Sequence, residues 1–219
     1  MYFYLLYHIP EVYLCIFRYK IREERGETMP KLTFFYGVMN SSKSARALIQ
    51  KFSFEEKGFS VGLLKPAVDT RDGGEWVRSR IGLCSPAHPV APDEDLNRWY
   101  LHHPFDVLVV DEAQFLSGRQ VEALYEVACA SAPVFCYGLA SDFRTRLFPG
   151  SRRLFELADE LVRIEALCAC GRVAQVNARI ENGKILREGS RVEIGGNERY
   201  QSMCYRCYRR GLSGQTHGG

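Results

Sequence analysis

Residues 31–65 read KLTFFYGVMNSSKSARALIQKFSFEEKGFSVGLLK, and they decide the fold. The first six, KLTFFY, form a short aromatic and β-branched run that predicts a strand. Residues 44–57 place Ala47, Leu48 and Phe54 at helical spacing and close on Lys57-Gly58, a helix stop, before SVGLLK at 60–65 returns to strand. Between the first strand and the helix stands GVMNSSKS, residues 37–44. It follows the phosphate-loop pattern G-x-x-x-x-G-K-[ST], in which backbone N–H groups cradle phosphates, the lysine reaches the outer ones and the hydroxyl binds magnesium. Gly37, Lys43 and Ser44 fit, whereas Ser42 stands where the pattern has its second glycine. A serine there is compatible with the cradle only if it can take the dihedrals that glycine takes freely. The competing reading is a plain helix cap built from Asn40, Ser41 and Ser42.

Outward from this unit, DVLVV at 106–110 is a continuous apolar run of the kind buried on both faces. Residues 120–130 read as a helix and PVFCYGL at 133–139 as another buried strand. Strands alternating with helices predict an α/β fold, a P-loop-type parallel sheet flanked by helices. Such sheets bind ligands beyond the carboxyl ends of their strands, so the loops after Tyr36, Lys65, Val110 and Leu139 should build the site. The strand of residues 106–110 runs into VVDEAQF, and an acidic residue there is where a P-loop enzyme holds magnesium. If the strand continues, side-chain alternation gives Asp111 to the metal and Glu112 to the opposite face as a general base. DEAQ also resembles a helicase motif, but such motors need two domains of this size.

At 219 residues, 46% hydrophobic and 25% charged, the chain has the composition of a soluble globular protein and excludes disordered or fibrous classes. A net charge of +3 argues against a large nucleic-acid or membrane footprint. The charge is uneven, with +5 between residues 168 and 210 and −2 over residues 29–167. Eight cysteines are the compositional oddity. Cys168 and Cys170 form C-x-C, and Cys204 and Cys207 form C-x-x-C, which together suit a closed tetrahedral zinc site in a reducing, cytoplasmic setting. Cys15, Cys84, Cys129 and Cys136 are not in ligand spacing. The expected division is an extension at 1–28 outside the fold, a P-loop domain at 29–167, a small zinc lobe at 168–210 and a Gly-rich tail from 211. Residues 1–28 begin apolar, but Pro10 and Glu11 interrupt the run, which disfavours a spanning helix. An upstream-assigned start is preferred to an amphipathic membrane anchor.

From residue 31 to about 210 the chain resembles bacterial thymidine kinases of the zinc-containing, cellular type. The matching stretches are GVMNSSKS, KPAVDTRDG (65–73), SRIGL (79–83), VVDEAQF, CYGLASDFR (136–144), the cysteine pairs and IGGNERYQSMC (194–204). The resemblance implies transfer of the γ-phosphate of ATP to the 5′-hydroxyl of thymidine or deoxyuridine, with Mg2+ and a structural Zn2+. It implies that Gly37, Val38, Met39, Asn40, Ser41, Ser42, Lys43 and Ser44 surround ATP together with Asp111, Glu112, Ala113 and Gln114. Glu112 would be the catalytic base, and Ser44 with Asp69 or Asp111 would arrange magnesium. Met39, Phe115, Leu139, Phe143 and Tyr200 would enclose the base, residues 187–203 would form a main-chain lid, and Arg71 and Arg144 would contact phosphate. Zinc at Cys168, Cys170, Cys204 and Cys207 would fix the foot of that lid. The resemblance further implies a homotetramer. The rival function is a P-loop ATPase or nucleotide switch whose zinc lobe recruits a protein or nucleic acid.

Overall fold

The computed structural model describes residues 31–70, 73–189 and 199–211. The expectations for residues 1–28, Arg71, the lid segment 190–198 and the tail from 212 lie outside the described residues. In chain order the strands are β1 (Leu32–Tyr36), β2 (Val61–Pro66), β3 (Trp76–Arg78), β4 (Cys84–Pro86), β5 (His88–Val90), β6 (Val107–Val110), β7 (Val134–Gly138), β8 (Glu160–Arg163), β9 (Val176–Glu181), β10 (Lys184–Leu186) and β11 (Tyr200–Met203). The helices are α1 (Lys43–Glu55), α2 (Leu96–His102), α3 (Gly118–Ala130), α4 (Pro149–Leu157) and α5 (Tyr205–Arg210), with a 3-10 turn at Ala113–Phe115.

Over the described residues, six strands form one sheet in the order β5-β2-β6-β7-β1-β8, and every pairing in it is parallel. Both faces are buried because the strand sequences are apolar at consecutive positions. Val107 and Val109 of β6 pack with Ala47 and Leu48 of α1, while Leu108 and Val110 pack on the other side with Leu124 of α3 and Leu154 of α4. The four strands read from sequence sit together at the centre as β2, β6, β7 and β1, so their carboxyl-terminal loops converge.

The cysteine region forms a separate three-stranded antiparallel sheet, β10-β9-β11. Its small core gathers Cys168, Ala174, Val176, Ala178, Met203, Cys204 and Tyr208. Val38 of the phosphate loop is buried in the same cluster. Tyr208 also donates a hydrogen bond from its hydroxyl to the Phe143 carbonyl at 3.0 Å.

Candidate active site

The phosphate loop leaves β1 through Gly37, where a Cβ would stand 2.5 Å from the Ile164 carbonyl oxygen. That crowding fixes the first glycine of the pattern. The loop then passes Asn40 (φ 64°) and Ser42 (φ 61°), both left-handed, and enters α1 at Lys43. Ser42 is the N-cap yet makes no side-chain cap bond. The helix cap proposed as the rival reading is therefore not what these residues build, and the first turn keeps the open N-terminus that suits an anion. The left-handed φ at Ser42 also explains why the pattern has glycine there, since an L-residue in that region costs about 1–2 kcal/mol. Ser42→Gly should therefore stabilise the fold by about 0.5–1 kcal/mol, after the greater chain entropy of glycine is subtracted, and raise Tm by about 2–3 °C. A lower Tm in thermal melts would mean that Ser42 makes a compensating contact.

A cavity of about 600 Å³ opens over this loop. It is lined by Met39, Asn40, Ser42, Lys43 and Ser44 after β1, Lys65 and Asp69 at β2, Asp111 and Glu112 after β6, and Leu139 after β7. All four loops expected from the sheet thus meet in one place. Three of the five non-glycine residues with positive φ among the described residues, Asn40, Ser42 and Glu112, line this cavity. Strained backbone concentrated in one cleft is a mark of function.

The carboxylates differ from expectation in how they are placed. β6 ends at Val110, and Glu112 adopts φ 52°, so strand alternation does not separate Asp111 from Glu112. The turn does so instead. Asp111 is buried and accepts a hydrogen bond from Ser44. Desolvation, followed by the nearby Glu112 charge, pushes its carboxyl up to about 7 against that hydrogen bond. Glu112 is half-buried on the cavity wall and is held by the side-chain amide of Gln114. Gln114, itself 1% exposed, accepts from the Leu139 N–H at 2.9 Å. Ala113 and Gln114, read as ATP contacts, line neither this cavity nor its neighbour, and Gln114 braces Glu112 and Leu139 from behind.

The cations are held by partners within the protein. Lys43 folds its ammonium back onto the Val38 carbonyl at 2.7 Å. Lys65, which sequence reasoning gave no role, is 1% exposed and pairs with Asp69 at 3.2 Å. A lysine ending an apolar strand was its only sequence signal. Residues 77–81 around the β3–β4 turn also line the cavity, and of these only 79–81 were quoted, within a matching stretch. Arg144 is held by Asp142 at 3.0 Å and lines neither cavity.

Of the five residues expected around a base, two line the main cavity and a third lines its neighbour. Met39 and Leu139 line the main cavity. Tyr200 lines a second cavity of about 500 Å³ between the phosphate loop and the lobe, which Met39 also borders. Phe115 packs edge-on against Phe148, and Phe143 is 1% exposed beneath the guanidinium groups of Arg144 and Arg179.

In the lobe, the sulfur atoms of Cys168, Cys170, Cys204 and Cys207 all lie within 4.8 Å of one another. Cys170 and Cys204 are 3.6 Å apart, close to the edge of about 3.8 Å that a tetrahedron of thiolates has when its zinc–sulfur bonds are about 2.3 Å. Gly171, at φ 80°, allows the tight turn after C-x-C, and Cys204 caps α5 by accepting from the Cys207 N–H. That backbone bond lowers the Cys204 thiol to about 6, whereas the sulfur of Cys204 and then that of Cys170 raise the Cys207 thiol to about 12. Four sulfurs that cannot all ionise unaided suit a divalent cation.

The thymidine kinase family profile matches residues 30–208. A thymidine kinase of Legionella pneumophila (strain Paris) is 42% identical over 197 residues, covering 86% of this chain and 93% of that protein. One from Novosphingobium aromaticivorans is 42% identical over 81% of this chain and 96% of its own length. A third, from Vibrio parahaemolyticus, is 41% identical over 84% and 99%. With a phosphate loop, a paired acidic strand end and a four-cysteine lobe in the matched region, this chain belongs to the thymidine kinase family.

Proposed function

We propose that the protein moves the γ-phosphate of ATP to the 5′-hydroxyl of thymidine, and of deoxyuridine, in pyrimidine deoxynucleotide salvage. The observation that supports it most is the second carboxylate. A nucleotide switch needs Lys43, Ser44 and one acidic residue at the strand end, whereas Glu112 adds a base on the wall of the same cavity, braced by Gln114. In the reaction, the 5′-oxygen attacks the γ-phosphorus and its proton passes to Glu112. The bond from phosphorus to the β,γ-bridging oxygen breaks, and ADP leaves. Lys43 and the first-turn N–H groups of α1 stabilise the oxygens that carry the charge.

Ser44 and Asp111 are the residues that would hold magnesium. A buried carboxylate whose charged form is disfavoured by desolvation fits a divalent ion, which would neutralise phosphate charge when bound. Asp69 lies in the same cavity, with Lys65 as its partner. We read the lobe metal as zinc and the working form as a cytoplasmic homotetramer acting on free nucleosides rather than a polymer, in keeping with the small net charge of +3. No helix among the described residues is long and apolar enough to cross a membrane.

A coupled assay tests the reaction. ADP release from ATP should depend on thymidine, and hydrolysis independent of thymidine would favour a switch or ATPase. The metal reading carries its own prediction. Wild-type protein should contain about one zinc per chain by elemental analysis, and Cys207→Ser should lose it. If the lost metal contributed about 3 kcal/mol, Tm would fall by about 10 °C. Protein purified without chelator and found free of zinc would overturn the assignment.

A further inference from the structure

Both main-chain groups of Met39, in the middle of the phosphate loop, are taken by the cysteine lobe. Its N–H donates to Asn177 Oδ1 at 2.6 Å, and its carbonyl accepts from Ser202 Oγ at 2.6 Å. Asn177 and Ser202 are direct cross-strand partners in the β9–β11 pairing, so one rung of the lobe sheet grips one loop residue from both ends. Asn177 is 4% exposed, and its amide nitrogen also donates to the Ser141 carbonyl at 3.3 Å, tying in the loop after β7. Val38, the preceding residue, is buried with Cys168 and Cys204 in the lobe core.

The neighbouring conformation gives this grip a purpose. Asn40 and Ser42 are both held left-handed without being glycine, so the loop does not rest in its phosphate-ready shape by intrinsic preference. A restraint at Met39 and a helix beginning at Lys43 fix the segment at both ends. With its N–H given to Asn177, Met39 is also excluded from the phosphate cradle, which leaves the N–H groups from Asn40 onward to serve it.

We propose that Asn177 and Ser202 are positioning residues for nucleotide binding: they clamp the phosphate loop to the cysteine lobe, so that the integrity of the lobe sets the affinity for ATP. Neither residue needs to touch the nucleotide. The proposal rests on the reading of residues 37–44 as an ATP site, and its test measures ATP binding directly, apart from phosphoryl transfer.

Ser202→Ala and Asn177→Leu should each weaken binding of ATP by roughly five- to tenfold in titration calorimetry, with metal content and far-ultraviolet dichroism unchanged. Ser202→Thr, which keeps the hydroxyl, should restore wild-type affinity. Removing the lobe metal with a chelator should weaken ATP binding in the wild type but add little in the double variant, because the coupling has already been cut. Wild-type ATP affinity in both single variants, failure of Ser202→Thr to restore it, or an equal chelator effect in wild type and double variant would each overturn the clamp. Should the wild type bind ATP without phosphorylating thymidine, the proposed reaction fails while the clamp is still judged by these affinities.

Discussion

Lys43→Ala should lower kcat/KM for ATP by about 10³-fold or more, comparable to the loss of a key charge-stabilising donor in other enzymes. Lys43 opens α1, is only 8% exposed, and lies beside Ser44, Asp111 and Glu112 in the cavity where the four carboxyl-terminal loops meet. Its ammonium rests on the Val38 carbonyl at 2.7 Å, a contact made inside the loop that a nucleotide's phosphates can replace. Because alanine would also leave that carbonyl without its partner, some stability is expected to go as well, about 1–3 kcal/mol. Lys43→Met keeps most of the bulk but also removes the donor to that carbonyl, so both variants are assayed well below their melting temperatures: turnover still lost in folded protein locates the defect at the phosphates. Turnover at wild-type rates in either folded variant would mean that the loop is not the phosphate site.

The centre of this molecule could be read from residues 31–65 and the two apolar runs after them because those segments are governed by local chemistry. β1, β2, β6 and β7 are buried on both faces, and their sequences say so without help from neighbours. β8 is different. It lies at the sheet edge with Glu160, Leu161 and Arg163 exposed, and it exists because its backbone pairs with β1, which no periodicity reveals. α4 was hidden by its opening Pro149-Gly150. That proline sits in the first turn, and Gly150 is needed because a side chain there would meet the carbonyl oxygens of Leu116 and Ala113 within 2.7 Å. α2 is only seven residues long and buries just Leu96 and Tyr100, too few to set a period.

At the site the same divide applies. Lys43, Ser44, Asp111 and the cysteine pairs are visible as short-range motifs. Asp69 was placed near magnesium, but its pairing with Lys65 is made by the turn after β2, where the Asp69 N–H donates to the Pro66 carbonyl, and Lys65 also donates to the Trp76 carbonyl at 3.1 Å. The Met39 clamp joins residues 138 and 163 positions apart, through main-chain groups that carry no side-chain signal. The roles of Asp111 and Glu112 were assigned by strand alternation, and the geometry that separates the two residues is a left-handed turn that alternation cannot foresee.

That turn sets the last expectation, Glu112→Gln. Glutamine keeps the length and hydrogen-bonding capacity of the side chain but cannot accept the 5′-hydroxyl proton. A general base contributes roughly 10²–10⁴-fold, so kcat should fall by about that factor while KM for thymidine changes little. The left-handed backbone at Glu112 and the brace from Gln114 both hold the carboxylate on the cavity wall, so the substitution is not expected to disturb the fold. Glutamine at this position can offer its own Oε1 to the Gln114 amide, so Gln114 keeps the Leu139 N–H and the brace survives the substitution. The signature that separates a base from a structural role is the split of the kinetic constants: kcat falls while KM for thymidine and Tm stay near their wild-type values. An unchanged kcat would transfer the base role away from Glu112 and leave Asp111 as the remaining carboxylate of that strand end to be tested.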